Sequence, residues 1–213
     1  MIKNICTMCG KEYESEEYGT YTCAECEEKI NLIKKMEMVD KARKLLEKKI
    51  GKSRILKQKI DVSKFSELVK DRAIKGIDKF SSIPEAAVAI QMEKIGLEYE
   101  TQKEVAGKRV DFYIPELKII LEIDGELYHT DGNKSFLRDR EIMREVGEEW
   151  EIVHIEASKV PKYTWDLKEA LMYVVSERND KWRFRDSLFD TDLLIEFHNL
   201  ELYMKKGGSY GFK

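Results

Sequence analysis

Arg109-Val110-Asp111-Phe112-Tyr113-Ile114, Pro115-Glu116-Leu117, Lys118-Ile119-Ile120-Leu121-Glu122-Ile123-Asp124-Gly125: how this stretch reads decides the fold. Two apolar runs of strand length, Arg109 to Ile114 and Lys118 to Asp124, flank a turn marked by Pro115. A further strand is expected just upstream, Glu98 to Val105, joined through the turn Ala106-Gly107-Lys108. Asp111 interrupts the apolar run between Val110 and Phe112, and Glu122 and Asp124 close the last strand after Ile119-Ile120-Leu121. A carboxylate inside an apolar strand is costly unless something compensates its charge. Three acids near the ends of neighbouring strands raise one another's pKa, and a divalent cation relieves that repulsion. Hard oxygen ligands select Mg2+ or Mn2+ over zinc. The plain alternative, acids that merely flank turns, fits poorly with an Asp in mid-strand and another at a strand end before Gly125.

Working outward, Ser82-Ile83-Pro84-Glu85 has the form of a capping box with Pro in the first helical turn. The helix should run through Ala86, Val88, Ile90, Met92 and Ile95, with Gly96 placed to end it. Glu85 reads equally as the capping glutamate and as a carboxylate reaching the acids. Downstream, a helix opening at Asp139-Arg140, Gly147, a strand Glu151 to Glu156 and a helix from Trp165 to Val175 complete an α/β layer.

In order along the chain, Pro84-Glu85 opening a helix, Gln102, Val110-Asp111-Phe112, Leu121-Glu122-Ile123-Asp124-Gly125 and His129 resemble the PD-(D/E)XK nuclease superfamily. The branch resembled unites very-short-patch mismatch repair endonucleases with EDxHD phage-type homing endonucleases. The resemblance covers residues 82–160, not the N-terminal region, the basic helices or the C-terminal part. It implies a restriction-endonuclease-like mixed sheet flanked by helices, and Mg2+- or Mn2+-dependent hydrolysis of DNA phosphodiesters. By position it makes Asp111 the central metal ligand and Glu122 the second acid. Asp124 stands where the superfamily usually has Lys, so another group must activate water. His129 sits where the repair branch carries a catalytic His, and a pKa near ~6.5 suits acid–base work at neutral pH. Glu85 becomes a ligand or water-orienting carboxylate and Gln102 a positioner. Arg138 and Arg140 are candidates for phosphate contact, with intrahelical pairs to Glu141 and Glu145 as the alternative for them and Arg144. His154 and His198 lack acidic company in sequence and are assigned to structure.

Cys6-Thr7-Met8-Cys9 and Cys23-Ala24-Glu25-Cys26 hold all four cysteines of the chain. Two residues between sulfurs let one tight turn aim both at one point, and two such turns make a tetrahedral thiolate site. Disulfides are the alternative, but no secretory signal is legible in MIKNICTMCG, and disulfides rarely persist in a reducing compartment. Structural zinc in residues 1–28 is therefore expected, with Tyr13, Tyr18 and Tyr21 as a small apolar cover. Four thiolates close the shell, so this metal organises chain rather than catalysing.

The 213 residues carry 38 Lys and Arg against 41 Asp and Glu, a net charge of −3. From Lys34 to Lys59 there are 11 basic residues and 3 acidic ones, a surplus of 8 that leaves −11 for the rest. Apolar positions from Ile30 to Ile50 and from Ile60 to Ile77 recur every three or four residues, as amphipathic helices require. Residues 29–80 thus read as a basic helical arm that brings the zinc ribbon to nucleic acid, against a plain helical spacer packed on the main domain. The nuclease domain is placed at 81–180 and a helical extension at 181–213, whose Lys181-Trp182-Arg183-Phe184-Arg185 could stack on bases but reads better as a strand or turn. No apolar run approaches a membrane span. The expectation is a cytoplasmic protein of a bacterial or phage-infected cell, a monomer or homodimer with DNA as partner. Three readings follow: a homing-type or phage DNA endonuclease, a repair nickase on mismatched or branched DNA, or a catalytically idle nuclease fold that binds nucleic acid through zinc.

Overall fold

The computed structural model describes residues 2–16, 21–50, 62–125, 132–158, 160 and 167–178. His129, His198, Tyr18 and the 181–213 extension lie outside them. The described chain is mixed α/β, a four-stranded mixed sheet flanked by helices, with a cysteine cluster at its N-terminal end. The order is β1 (Ile2–Ile5), β2 (Glu12–Ser15), α1 (Ala24–Ile50), α2 (Val62–Ile74), α3 (Ile83–Ile95), β3 (Glu100–Val105), β4 (Lys108–Ile114), β5 (Ile119–Asp124), α4 (Gly132–Val146), β6 (Glu151–Glu156) and α5 (Leu167–Arg178).

β1 and β2 form a short antiparallel hairpin. The main sheet runs β3-β4-β5-β6, antiparallel except for the parallel β5–β6 pair. That pair requires a crossover, and α4 lies on it. Odd residues of β5, Ile119 and Leu121, face a core shared with α3, α1, α2 and α5, while Ile120 faces a second core with Ile142 of α4, Trp150 and Ile152. Val39, Ala42 and Leu46 of α1 are fully buried in the first of these cores beside Val69 and Ala73 of α2 and Ala86 to Ile90 of α3. The second half of the basic helix is therefore packed onto the same core as α3 and the sheet. Ser82 caps α3, its hydroxyl accepting from the Glu85 amide, and Gly96 ends the helix at φ 70; the predicted capping box forms on its serine side, while the Glu85 carboxylate returns to the Ser81 amide rather than to that of Ser82.

One irregularity positions the site. Side chains two apart on a strand share a face, yet Val110 packs with the α4-side core and Phe112 with the opposite one. Between them, Asp111 and its partner Gln102 drop out of an otherwise continuous register, Thr101↔Phe112 on one side and Lys103↔Val110 on the other. Gln102 has φ 51, a left-handed conformation that costs a non-glycine residue about 1 kcal/mol or more. Both strands change face at the predicted metal ligand. α4 begins at Gly132, so Asp139 is not at its start, as the sequence suggested, but two turns inside it.

Candidate functional site

At the interruption, polar side chains join into one path across the sheet. Glu85, 4% exposed at the start of α3, accepts from the Ser81 amide, both serine hydroxyls (Ser81 and Ser82) and Gln102 Nε2. The second hydrogen of Gln102 Nε2 goes to Asp111 Oδ1 at 2.9 Å, and the Ile123 amide donates to Asp111 Oδ2 at 2.8 Å. The Asp111 amide in turn points at Glu122 Oε2, 3.4 Å away. Glu85 is thus both the helix cap and the anchor that holds Gln102 over Asp111, which explains why neither sequence reading of it excluded the other.

Glu122 takes an ion pair from Arg138 of α4, Nη2 to Oε1 at 2.7 Å, and the same nitrogen donates to the Arg109 carbonyl. Arg138 thus reaches across to β5 with Nη2, while its Nη1 meets Asp139 of its own helix at 3.3 Å; Arg140 is exposed and makes no ion pair among the described residues. On the neighbouring parallel strand, His154 lies in register with Glu122. Its Nδ1 is 2.9 Å from Asp124 Oδ2 and its Nε2 is 2.9 Å from Asp139 Oδ2. An imidazole with a carboxylate at each nitrogen donates from both, as the imidazolium. The acidic company that His154 lacks in sequence the fold supplies: it is the direct partner of Asp124, a predicted site acid, and of Asp139. Sequence reasoning missed Asp139 as well. The available signal was a His inside the apolar run Ile152-Val153-Ile155 and an Asp on an otherwise amphipathic helix, two buried polar residues needing each other.

The charges follow from burial. Asp111 is raised above the ordinary carboxylate range, first by loss of water and further by the nearby Glu85 charge, against the opposing pull of the Ile123 amide and Gln102. Glu122 is pushed up to about 7 by burial, with Arg138 opposing and Asp111 adding to the rise. Burial alone would lower His154, but the Asp124 and Asp139 hydrogen bonds outweigh it and lift the imidazole to about 10. Five carboxylates (Glu85, Asp111, Glu122, Asp124 and Asp139) face two cationic side chains, Arg138 and His154. A hard divalent cation suits such a donor set. As placed here, however, the carboxylates do not bring three oxygens within mutual reach of one ion; among the described residues only the four cysteines form such a group.

That group is compact. Sγ atoms of Cys6, Cys9, Cys23 and Cys26 all lie within 4.8 Å of one another, and Cys9 and Cys23 are 3.8 Å apart. Tetrahedral zinc with Zn–S near ~2.3 Å puts its sulfurs roughly 3.8 Å apart. The cysteines are free thiols, so the disulfide alternative does not form. Gly10 turns the first knuckle at φ 72, its amide bonded to the Cys6 carbonyl, and Cys26 lies in the first turn of α1. The positive end of that helix favours thiolates. Two of the thiols are driven apart: backbone amides, Cys23's foremost, draw Cys6 down to about 6, while the hydrogen bond with Cys9 and burial push Cys26 up to about 12. Four close cysteines able to bind a metal such as zinc are therefore present. Of the expected cover, Tyr13 packs on the cluster, whereas Tyr21 is 71% exposed and covers nothing.

In comparisons with family models, with curated proteins and with solved structures, nothing matches this chain. No described helix is long and apolar enough to cross a membrane.

Proposed function

We propose that the chain is a phosphodiester hydrolase of the PD-(D/E)XK kind, as the sequence resemblance implies. Within that class we infer a metal-dependent DNA endonuclease, homing-type or of a phage or other mobile element, with a zinc ribbon and basic helices for binding. The observation that carries this reading is the polar path Glu85–Gln102–Asp111–Glu122, gathered where β3 and β4 both change face. Strain and buried carboxylates concentrated at one point are costly for stability and suit a working site.

In this reading Asp111, with Glu122 or Asp124, would hold Mg2+ or Mn2+, which would polarise the phosphate and acidify an attacking water. The protein's own side chains do the positioning. Gln102, tied to Glu85, fixes the Asp111 carboxylate through Oδ1, while the Ile123 amide fixes Oδ2. His154 locks Asp124 in one orientation. Arg138 supplies, from α4, the cation that the Lys-to-Asp departure at position 124 removes. His129, for which only the sequence speaks, is the candidate proton carrier. A repair nickase on mismatched or branched DNA is the nearest alternative within the same chemistry.

A second reading has an observation of its own. Each of these acids already has an internal partner, and among the described residues only the cysteines meet metal geometry unaided. This favours an idle nuclease fold that binds nucleic acid through its zinc-bearing end. Supercoiled plasmid incubated with Mg2+, Mn2+ or EDTA separates the two: metal-dependent nicking or linearisation lost in Asp111→Ala supports the nuclease, and binding without cleavage of any DNA, the host genome included, supports the idle fold.

A further inference from the structure

Many lysines on the surface of the described chain sit in ion pairs. Lys11 meets Glu25, Lys70 meets Asp40 and Glu67, Lys75 meets Asp71, Lys103 meets Glu100, Lys108 meets Glu141 and Lys118 meets Glu149. α1 departs from this pattern along one side. Lys34, Lys41, Lys44 and Lys48 are all exposed, and none forms an ion pair with a described residue. Lys34, Lys41 and Lys48 are spaced by seven, so they fall within about 40° of one another around the helix, and Lys44 lies on the flank of the same stripe. The acids that would neutralise them are used elsewhere: Asp40 bonds Lys70 and Arg43, and Glu47 bonds Arg43. Only Glu37 shares the stripe uncompensated.

Val39, Ala42 and Leu46 hold the opposite side of α1 in the core, so the lysine stripe is fixed outward on a rigid element. From Lys34 to Lys48 it spans roughly 21 Å, at 1.5 Å rise for each residue. That is about six base pairs of duplex at one pair every ~3.4 Å. The rest of the chain is acidic and repels a polyanion, so the stripe also orients it.

We infer that this face of α1 is the phosphate-tracking surface of the protein, with duplex DNA as its occupant, read without regard to base sequence. The inference rests on the DNA-directed reading above and names its contact. Four phosphates neutralised by four lysines release counterions, so log K against log salt should steepen by about 0.9 for each, roughly 3.6 in all. Between 50 and 200 mM salt those contacts alone cost about 100-fold in affinity.

The test measures binding of the full chain to a fluorescent 30-base-pair duplex by anisotropy, across salt and in zinc-containing buffer without Mg2+ or Mn2+. The variant carries Lys34→Gln, Lys41→Gln, Lys44→Gln and Lys48→Gln; a control of equal charge carries Lys11→Gln, Lys75→Gln, Lys108→Gln and Lys118→Gln. Circular dichroism checks that both fold. The stripe variant should lose most of the salt dependence, the slope falling by about 3 to 4, while the control moves it by less than 1. An unchanged slope in the stripe variant, an equal fall in the control, or tighter salt-dependent binding to a single strand of the same length than to the duplex overturns the inference. Plasmid cleavage with Mg2+ at low salt, run on the same variant, reports on the nuclease reading separately: a protein that cuts but keeps its slope has the chemistry and a different surface.

Discussion

Replacing His154 with Gln removes the imidazolium held between Asp124 and Asp139, and the geometry dictates how stability then answers to pH. The imidazole is lifted to about 10 from an ordinary 6.5, so the folded protein keeps a proton there that the unfolded chain releases. A raised pKa contributes stability that is full below the unfolded value and is lost as pH climbs through the folded one. The window is therefore pH 6.5 to about 10. Within it the wild type should lose about 1.4 kcal/mol for each pH unit from this one proton, with a ceiling on the order of 5 kcal/mol across the window. His154→Gln should be several kcal/mol less stable at pH 6.5, because the buried Asp139 and the partly buried Asp124 lose their shared cation. The difference should then shrink steadily toward pH 9.5. Urea unfolding followed by the fluorescence of Trp150, which stacks on Tyr113 with ring centroids 4.4 Å apart, measures both curves. Cysteine titration affects both proteins and cancels in the comparison. Two curves that run parallel from pH 6.5 to 9.5 would refute the reasoning: His154 would not then be a proton-holding bridge.

Arg138→Met strips the partner from Glu122, whose carboxyl is pushed up to about 7 even with that partner; thermal melts should show a larger loss at pH 8, where the wild-type acid is charged and held by Arg138, than at pH 5, where it is neutral and the pair contributes little. Equal losses at both pH values count against that pairing. Gln102→Ala should leave Asp111 and Glu85 to repel each other, lowering the cleavage rate about 10-fold or more with the helical content intact; an unchanged rate removes Gln102 from the site. Native mass spectrometry should find one zinc bound to the chain and none in Cys23→Ser, and a chain purified with zinc in the buffer that carries none contradicts the cysteine site.

Much of the frame was legible because its signals are local. Ser82 and Glu85 announce the start of α3, Gly96 its end, and Pro115 the β4–β5 turn, all through contacts within a few residues. The four cysteines were legible for the same reason, since each knuckle is one turn. Asp111, Glu122 and Asp124 stood out as charges in apolar strands. What sequence could not show is pairing across distance. His154 meets Asp124 through the parallel register of β5 and β6, thirty residues apart, and Asp139 through the packing of α4. Arg138 looked like a helix-surface residue because Glu141, three residues on, was visible and Glu122 on another element was not. The left-handed Gln102 is likewise a property of two strands changing face together; nothing in its own side chain favours φ 51.

The central claim is that Asp111 works at a metal-dependent phosphodiester-cleaving site. Its most direct test is the conversion of supercoiled plasmid, and then of DNA from the protein's own genome, by wild type and Asp111→Ala with Mg2+ or Mn2+ and with EDTA. The account predicts open-circular or linear product from the wild type only, abolished by EDTA, with duplex binding retained by the variant. Cleavage at the same rate by both proteins, or cleavage indifferent to EDTA, contradicts it.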